Sequence, residues 1–469
     1  MSFRKVIFWA HLVAGVVCGL VIGIMSFTGA ALAFEKEIIA WAERDARQVV
    51  PPAPGAARLS VDEIMKRLAA AQPAVKPASL IFSTDPAAPI AIGAGRSATA
   101  YINPYTAEVH EGQAVRTRAF MQTMNSWHRW LGQDGEHRNL ARAVTGACNF
   151  AFLALGVTGL YLWWPRAWSA RAVRAIALFN FRLRGKARDF NWHNVIGLWS
   201  APVLIVLTAT ALPMSYTWAS DLIYRLTGTE APAQGGGGGG GPGVAISPVE
   251  LPKPPEGAQP LGYDALIAAA QKEAPHWDQL TLRLSGAAGG RGGAGGGPGF
   301  AGAGGRGGGS GGGRGGRGAG APGGRGGGQG GEGRGRGRGM GEAGAGGAIS
   351  ASTANGSQGN SAQPQPVTIA IRESGSWPRT ATTTLTLDPY TGAVLRRDGF
   401  ADQNLGRQIR SWTRFLHTGE ALGPLGQLVA GLASFGGCVL MYTGFALAWR
   451  RFFGRRTPVP MSAQASSRG

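Results

Sequence analysis

Val157-Thr158-Gly159-Leu160-Tyr161-Leu162-Trp163-Trp164 closes one long apolar run, and Tyr442-Thr443-Gly444-Phe445-Ala446-Leu447-Ala448-Trp449 closes another with the same Thr-Gly step and terminal tryptophan. Four such runs, 6–34, 143–164, 191–220 and 421–449, lack Lys, Arg, Asp and Glu, and each exceeds the roughly 20 residues that an α-helix needs to cross a bilayer. The composition agrees: only 15% of the 469 residues are charged, 78 are Gly, and the formal charge is +20. Short basic flanks set the orientation. Arg4 and Lys5 precede the first run, Arg171, Arg174, Arg182, Arg184, Lys186 and Arg188, with Arg166, fill 165–190, and Arg450, Arg451, Arg455 and Arg456 follow the fourth. The positive-inside rule places both termini and that loop in the cytoplasm, and 35–142 and 221–420 outside. Ala31-Leu32-Ala33 also reads as a signal-peptide cleavage site, but the run before it is longer than the usual 7–15-residue signal core.

Moving outward, the whole pattern is written twice. Ile102-Asn103-Pro104-Tyr105-Thr106-Ala107-Glu108-Val109 returns as Leu387-Asp388-Pro389-Tyr390-Thr391-Gly392-Ala393-Val394, a turn between β-type residues. Amphipathic helices are expected at 61–71 and 263–273, ahead of each copy. Ser126-Trp127-His128-Arg129-Trp130 and Arg414-Phe415-Leu416-His417 follow them. His11 with Gly15 answers His193 with Gly197, and Thr28 answers Thr210 at the same distance. The expected fold is therefore membrane α-helical: four transmembrane helices in two parallel span–domain–span repeats, related by an axis along the membrane normal. The first span occupies 1–34 and the third 191–218. External units fall at 57–113 and 259–397, interfacial segments with spans two and four at 120–164 and 408–449, and a cytoplasmic tail at 450–469. Two glycine-rich stretches interrupt the second copy, a linker at 232–243 and a Gly/Arg-rich insert at 286–349 that joins two strands. Outside the membrane this insert reads as a solvated spacer, with no nucleic-acid partner.

The chemistry lies in the histidines. Two of the seven, His11 and His193, sit inside apolar spans, where ionisable side chains mark function by default. His11 shares a helix face with Gly15, Gly19 and Gly23, and His193 with Gly197 and Ala201. Small residues one turn from a histidine leave room for a flat, bulky group against the backbone, as haem requires. The competing reading is close helix packing, which uses the same small-residue faces. The repeat brings His11 and His193 to one depth near the cytoplasmic face, as a bis-His pair. It brings His128 and His417 together near the external face as a second pair, in a region whose tryptophans also suit an interfacial belt. His137 is a substitute ligand with no counterpart near His417, and His110 and His276 read as surface residues. Cys18, Cys148 and Cys438 all lie in apolar runs, so no disulfide framework, CxxC site or CxxCH attachment motif is present. A zinc site would need three or four converging ligands.

Together these motifs resemble the PepSY-associated transmembrane family, which includes iron-regulated inner-membrane proteins and ferric-siderophore reductases. The residues carrying the likeness are His11, Thr28-Gly29, Glu35, Asn103-Pro104-Tyr105-Thr106, Trp127-His128-Arg129, Thr158-Gly159, Trp192-His193 and Leu416-His417. The resemblance implies that each external unit is a small α/β PepSY domain in the periplasm of a bacterial inner-membrane protein. It also implies one or two haem b groups ligated by His11, His193, His128 and His417. The activity so implied is one-electron reduction of a periplasmic ferric siderophore or similar ferric chelate. The donor would be a quinol or a separate reductase, since no flavin or nicotinamide domain fits the short cytoplasmic pieces. A PepSY module in a membrane that binds or inhibits a peptidase, or senses a periplasmic ligand, is the non-redox alternative. A transporter would need broken helices or a polar midplane site.

Overall fold

The computed structural model describes residues 2–73, 77–94, 98–165, 168–231, 249–284, 365–379 and 381–454. The glycine-rich stretches expected at 232–243 and 286–349 lie outside the described residues, as do Arg166, Arg455 and Arg456. Four long helices dominate: α1 (Phe3–Leu32), α5 (Arg138–Trp163), α7 (Gly185–Ser215) and α11 (Gly423–Phe452), the four among the described residues that are long and apolar enough to cross a membrane. Between α1 and α5 come α2 (Glu35–Ala42), α3 (Val61–Ala71), β1 (Ser79–Ser83), β2 (Ile90–Ala94), β3 (Ala98–Ile102), β4 (Val109–Glu111) and α4 (Val115–Trp130). The short helix α6 (Ala170–Ala177) leads into α7. Between α7 and α11 come α8 (Thr217–Thr227), α9 (Tyr263–Glu273), β5 (Trp277–Arg283), β6 (Val367–Glu373), β7 (Thr383–Leu387), β8 (Val394–Asp398) and α10 (Leu405–His417).

In the bundle, α1 and α7 each pack against both α5 and α11, so α1 and α7 stand diagonally across from one another. Small residues allow the close approach. A Cβ on Gly437 would fall 2.6 Å from Ser26 Oγ, and one on Gly431 2.7 Å from the Phe34 ring. The third span differs from its uncharged window of 191–220. Helix α7 begins at Gly185 because Asp189, 1% exposed, is neutralised by Arg188 at 2.9 Å and Arg450 at 3.0 Å. It ends at Tyr216, where the backbone turns extended just beyond Pro213 and a separate helix, α8, begins.

The two α/β units expected at 57–113 and 259–397 do not stand apart. Each supplies one helix and four strands, and β1 pairs with β5 antiparallel, from Ser79↔Arg283 to Ser83↔Gln279. The result is one eight-stranded sheet in the order β4-β3-β2-β1-β5-β6-β7-β8. Alternation along β1 and β6 turns Leu80, Phe82, Val367, Ile369 and Ile371 to one face. There they join Ile64 and Leu68 of α3 and Leu266 of α9 in a single core. The two helices also cap each other. Asp62 accepts from the Tyr263 backbone N–H at 2.8 Å and Asp264 from Val61 N–H at 2.8 Å and Asp62 N–H at 3.0 Å. A side chain at Gly262 would strike the Asp62 carboxylate.

Each of these aspartates satisfies orphan donors at the other unit's helix N-terminus, so Asp264→Ala should lower stability by about 1–2 kcal/mol in a thermal melt. Burial alone would raise the Asp264 carboxyl, but hydrogen bonds from Asp62, Val61 and Ser60 hold it below its ordinary value. Its contribution is therefore complete above the ordinary aspartate pKa and disappears as pH falls through the lowered one. The wild-type and Asp264→Ala melting temperatures should converge in acid.

Candidate functional site

At the sheet end of the bundle, α4 and α10 each finish beside a histidine. Leu131 (φ 51°) and Gly132 (φ 72°) reverse the chain after His128, and Gly419 (φ 74°) does so after His417. His128 Nδ1 lies 3.0 Å from the Met25 carbonyl oxygen and 3.1 Å from Thr28 Oγ1. His417 Nδ1 lies 2.8 Å from the Leu207 carbonyl oxygen. Met25 stands as far along α1 from His11 as Leu207 stands along α7 from His193. A carbonyl can only accept, so in both rings Nδ1 carries the proton and Nε2 keeps its lone pair. The ring centroids are 6.2 Å apart at an interplanar angle of 53°. Two metal–imidazole bonds of about 2 Å placed end to end separate ring centres by roughly 6 Å.

Toward the opposite end, His11 Nδ1 meets Thr158 Oγ1 at 2.9 Å and His193 Nδ1 meets Thr443 Oγ1 at 2.9 Å. Each threonine hydroxyl already donates to a carbonyl in its own helix, Thr158 to Ala154 at 2.7 Å and Thr443 to Val439 at 2.8 Å. Its oxygen is left to accept, which fixes both imidazoles in the same Nδ1–H form. The glycine after each threonine clears the ring. A Cβ on Gly159 would sit 3.4 Å from His11 Cε1, on Gly444 3.6 Å from His193 Cε1, and on Gly29 3.2 Å from His128 Cε1. Thr158-Gly159, Thr443-Gly444 and Thr28-Gly29 are thus imidazole holders. These motifs stood out in the sequence without a role, and the signal that could have assigned one is their recurrence at the helix ends that face a histidine.

The remaining expectations divide. Gly19 and Gly23 do not form a wall for a flat ligand, because a Cβ there would meet Phe445 at 2.8 Å and Met441 at 2.6 Å, both side chains of α11. They serve helix packing, and Gly15, with Leu155 4.0 Å from its Cβ position, is the open one of the face. His137 is exposed in the turn Gly135–His137, and His110 and His276 are exposed as well. No group of three or more His, Cys, Asp or Glu is placed to hold a metal ion among the described residues. His128 and His417 stand as a pair.

A buried ion cluster holds α4, and with it His128, against the sheet. Glu43, 1% exposed, takes two bonds from Arg118 at 2.7 and 2.6 Å, one from Tyr101 at 2.7 Å, and Arg47 at 3.2 Å. Burial opposes its charge, but hydrogen bonds from Arg118 and Tyr101 and the charges of Arg118 and Arg47 keep its carboxyl below the ordinary glutamate value. Nearby on α2, Glu35 is pushed up to about 7 by burial, with Lys36 opposing and Glu420 adding to the shift. The same physics acts on His128, which burial and the neighbouring His417 push down to about 4. At neutral pH it is an uncharged imidazole.

A bundle of four membrane-crossing helices, with a histidine pair at one end, His11 and His193 toward the other, and a sheet domain built from the intervening segments, defines a multi-pass membrane protein. Residues 8–451 match the PepSY-associated TM region, and the chain belongs to that family. No curated protein matches it.

Two outcomes check the histidine geometry. In ¹⁵N-histidine NMR of the protein without added haem, His11, His128, His193 and His417 should all appear as Nδ1–H imidazoles. Thr443→Val should remove that signature from His193 alone and cost about 1–3 kcal/mol, the penalty of an unsatisfied buried donor. Because His128 is lowered in the fold, stability should fall as pH drops from about 6.5 toward 4 and level off below that. His128→Gln should make this part of the profile shallower.

Proposed function

We propose that this protein is a haem-containing reductase of the bacterial inner membrane. It passes single electrons across the bilayer to a periplasmic ferric siderophore or similar ferric chelate. The observation that carries the reading is the shared tautomer: four buried or half-buried imidazoles present an unprotonated Nε2, and one pair has the ring separation that a bis-imidazole metal centre requires. His128 with His417 would hold one haem b, and His11 with His193 a second. Haem, when bound, supplies a reversible one-electron Fe(III)/Fe(II) couple at each level of the bundle.

The chain's own residues do the rest. Thr158, Thr443, Thr28 and the Met25 and Leu207 carbonyls accept the Nδ1 protons, which orients each ring and raises the basicity of Nε2. The packed apolar helices keep water from the path between the two levels. In the parallel-repeat arrangement, with both termini cytoplasmic, His11 and His193 lie toward the cytoplasm, where a quinol in the bilayer or a separate reductase is the donor. His128 and His417 then lie beneath the periplasmic PepSY sheet, where the ferric chelate is reduced. One electron suffices, because hard oxygen-rich chelators hold Fe(III) far more tightly than Fe(II).

A pyridine haemochrome assay on the purified protein should give two haems per chain, with an α-band that dithionite develops. His128→Ala and His193→Ala should each remove one haem and leave the other. A colourless protein, or full haem content after both substitutions, would overturn the proposal.

A further inference from the structure

Arg410 lies seven residues before His417 on α10, two helical turns away and on the same face. It is 8% exposed, and its Nε is buried without a hydrogen-bond partner. Its Nη1 reaches Thr413 Oγ1 at 3.2 Å, so the guanidinium folds along the helix toward His417. Across from it stands Tyr224 of α8, 5% exposed, which packs on the same side of α10 at Gly406. No carboxylate comes within ion-pair distance of Arg410 among the described residues. The other half of the protein is built differently. Seven residues before His128 stands Met121, 2% exposed, and the nearby half-buried Arg118 is matched by Glu43. A guanidinium left buried and uncompensated is strongly unfavourable. At this one position, on the face that leads to His417, the guanidinium keeps a free donor for an anion.

We propose that Arg410 anchors the oxyanion of the group held between His128 and His417, a propionate carboxylate of the porphyrin. The inference rests on the haem reading above and adds to it the side from which the ligand's carboxylates are held. Arginine suits the task because its planar fork matches a carboxylate and its free Nε–H adds to the donors on Nη.

The test uses the purified full-length holoprotein with Arg410→Met, which copies the residue of the other half and so favours folding, and Arg410→Lys, which keeps the charge. Haem transfer to apomyoglobin and a redox titration are followed for each. Arg410→Met should release one of two haems about tenfold faster or more, the scale of a charge-assisted hydrogen bond. It should also lower that haem's midpoint potential, because a cation beside it has gone. Arg410→Lys should recover most of the potential and only part of the retention. Unchanged release and potential in Arg410→Met would overturn the proposal while leaving the haem reading intact. The same result with loss of co-purifying anionic phospholipid would assign the guanidinium to a lipid phosphate instead. A colourless wild-type protein would overturn both readings together.

Discussion

The imidazole Nδ1–H hydrogen bond is the constraint on which the site depends. A histidine between apolar helices has two neutral tautomers and a freely turning ring, and either freedom would spoil it as a ligand. Here the acceptor decides. A backbone carbonyl cannot donate, and a threonine hydroxyl whose proton is committed to the carbonyl four residues back behaves the same way. The ring can then hold only one tautomer. These bonds also link helices, α1 to α5 through His11 and Thr158, and α7 to α11 through His193 and Thr443. The group that prepares the site therefore also pins the bundle.

The sheet completes the positioning from above. Because β1 and β5 pair along their length, the two α/β units share one core and cannot drift independently. Joining them also buries two strand edges that would otherwise be open to other chains. The Glu43 cluster ties α2, α4 and β3 to one buried charge centre, and α4 carries His128 at its end. Removing one partner from such a buried cluster leaves an uncompensated charge, at a cost of several kcal/mol. The 6.2 Å between the rings of His128 and His417 is thus set by the sheet and the bundle together.

Much of this was legible in the sequence. The amphipathic stretches 61–71 and 263–273 are the helices α3 and α9, and the Asn-Pro and Asp-Pro turns join strands as their composition required. The pairing of His128 with His417 followed from duplication. What was not legible depends on partners far away in the chain. The β1–β5 seam joins segments whose own patterns are equally satisfied at a free edge. Gly19 and Gly23 look the same in sequence whether a porphyrin or the side chains of Phe445 and Met441 will fill the space. A threonine in an apolar helix reads as a neutral filler until the ring that needs its oxygen is in view. The start of α7 lies ahead of the uncharged window because Asp189 carries a charge that Arg450, far along the chain, cancels.

The two halves agree in backbone and in histidines and differ in the charges beside them. Glu43 and Arg118 satisfy each other in the first half, while Arg410 in the second has no carboxylate to answer it among the described residues. A bundle that only bound a symmetric metal centre would have no use for that difference, and Met121 shows that an apolar residue fills the equivalent place well. Porphyrin is not symmetric, since its carboxylates lie on one edge. On the haem reading proposed above, an uneven pair of surroundings would select one way of inserting that edge between otherwise equivalent histidines. On that reading Arg410 is the feature that turns a twofold scaffold into a directional one.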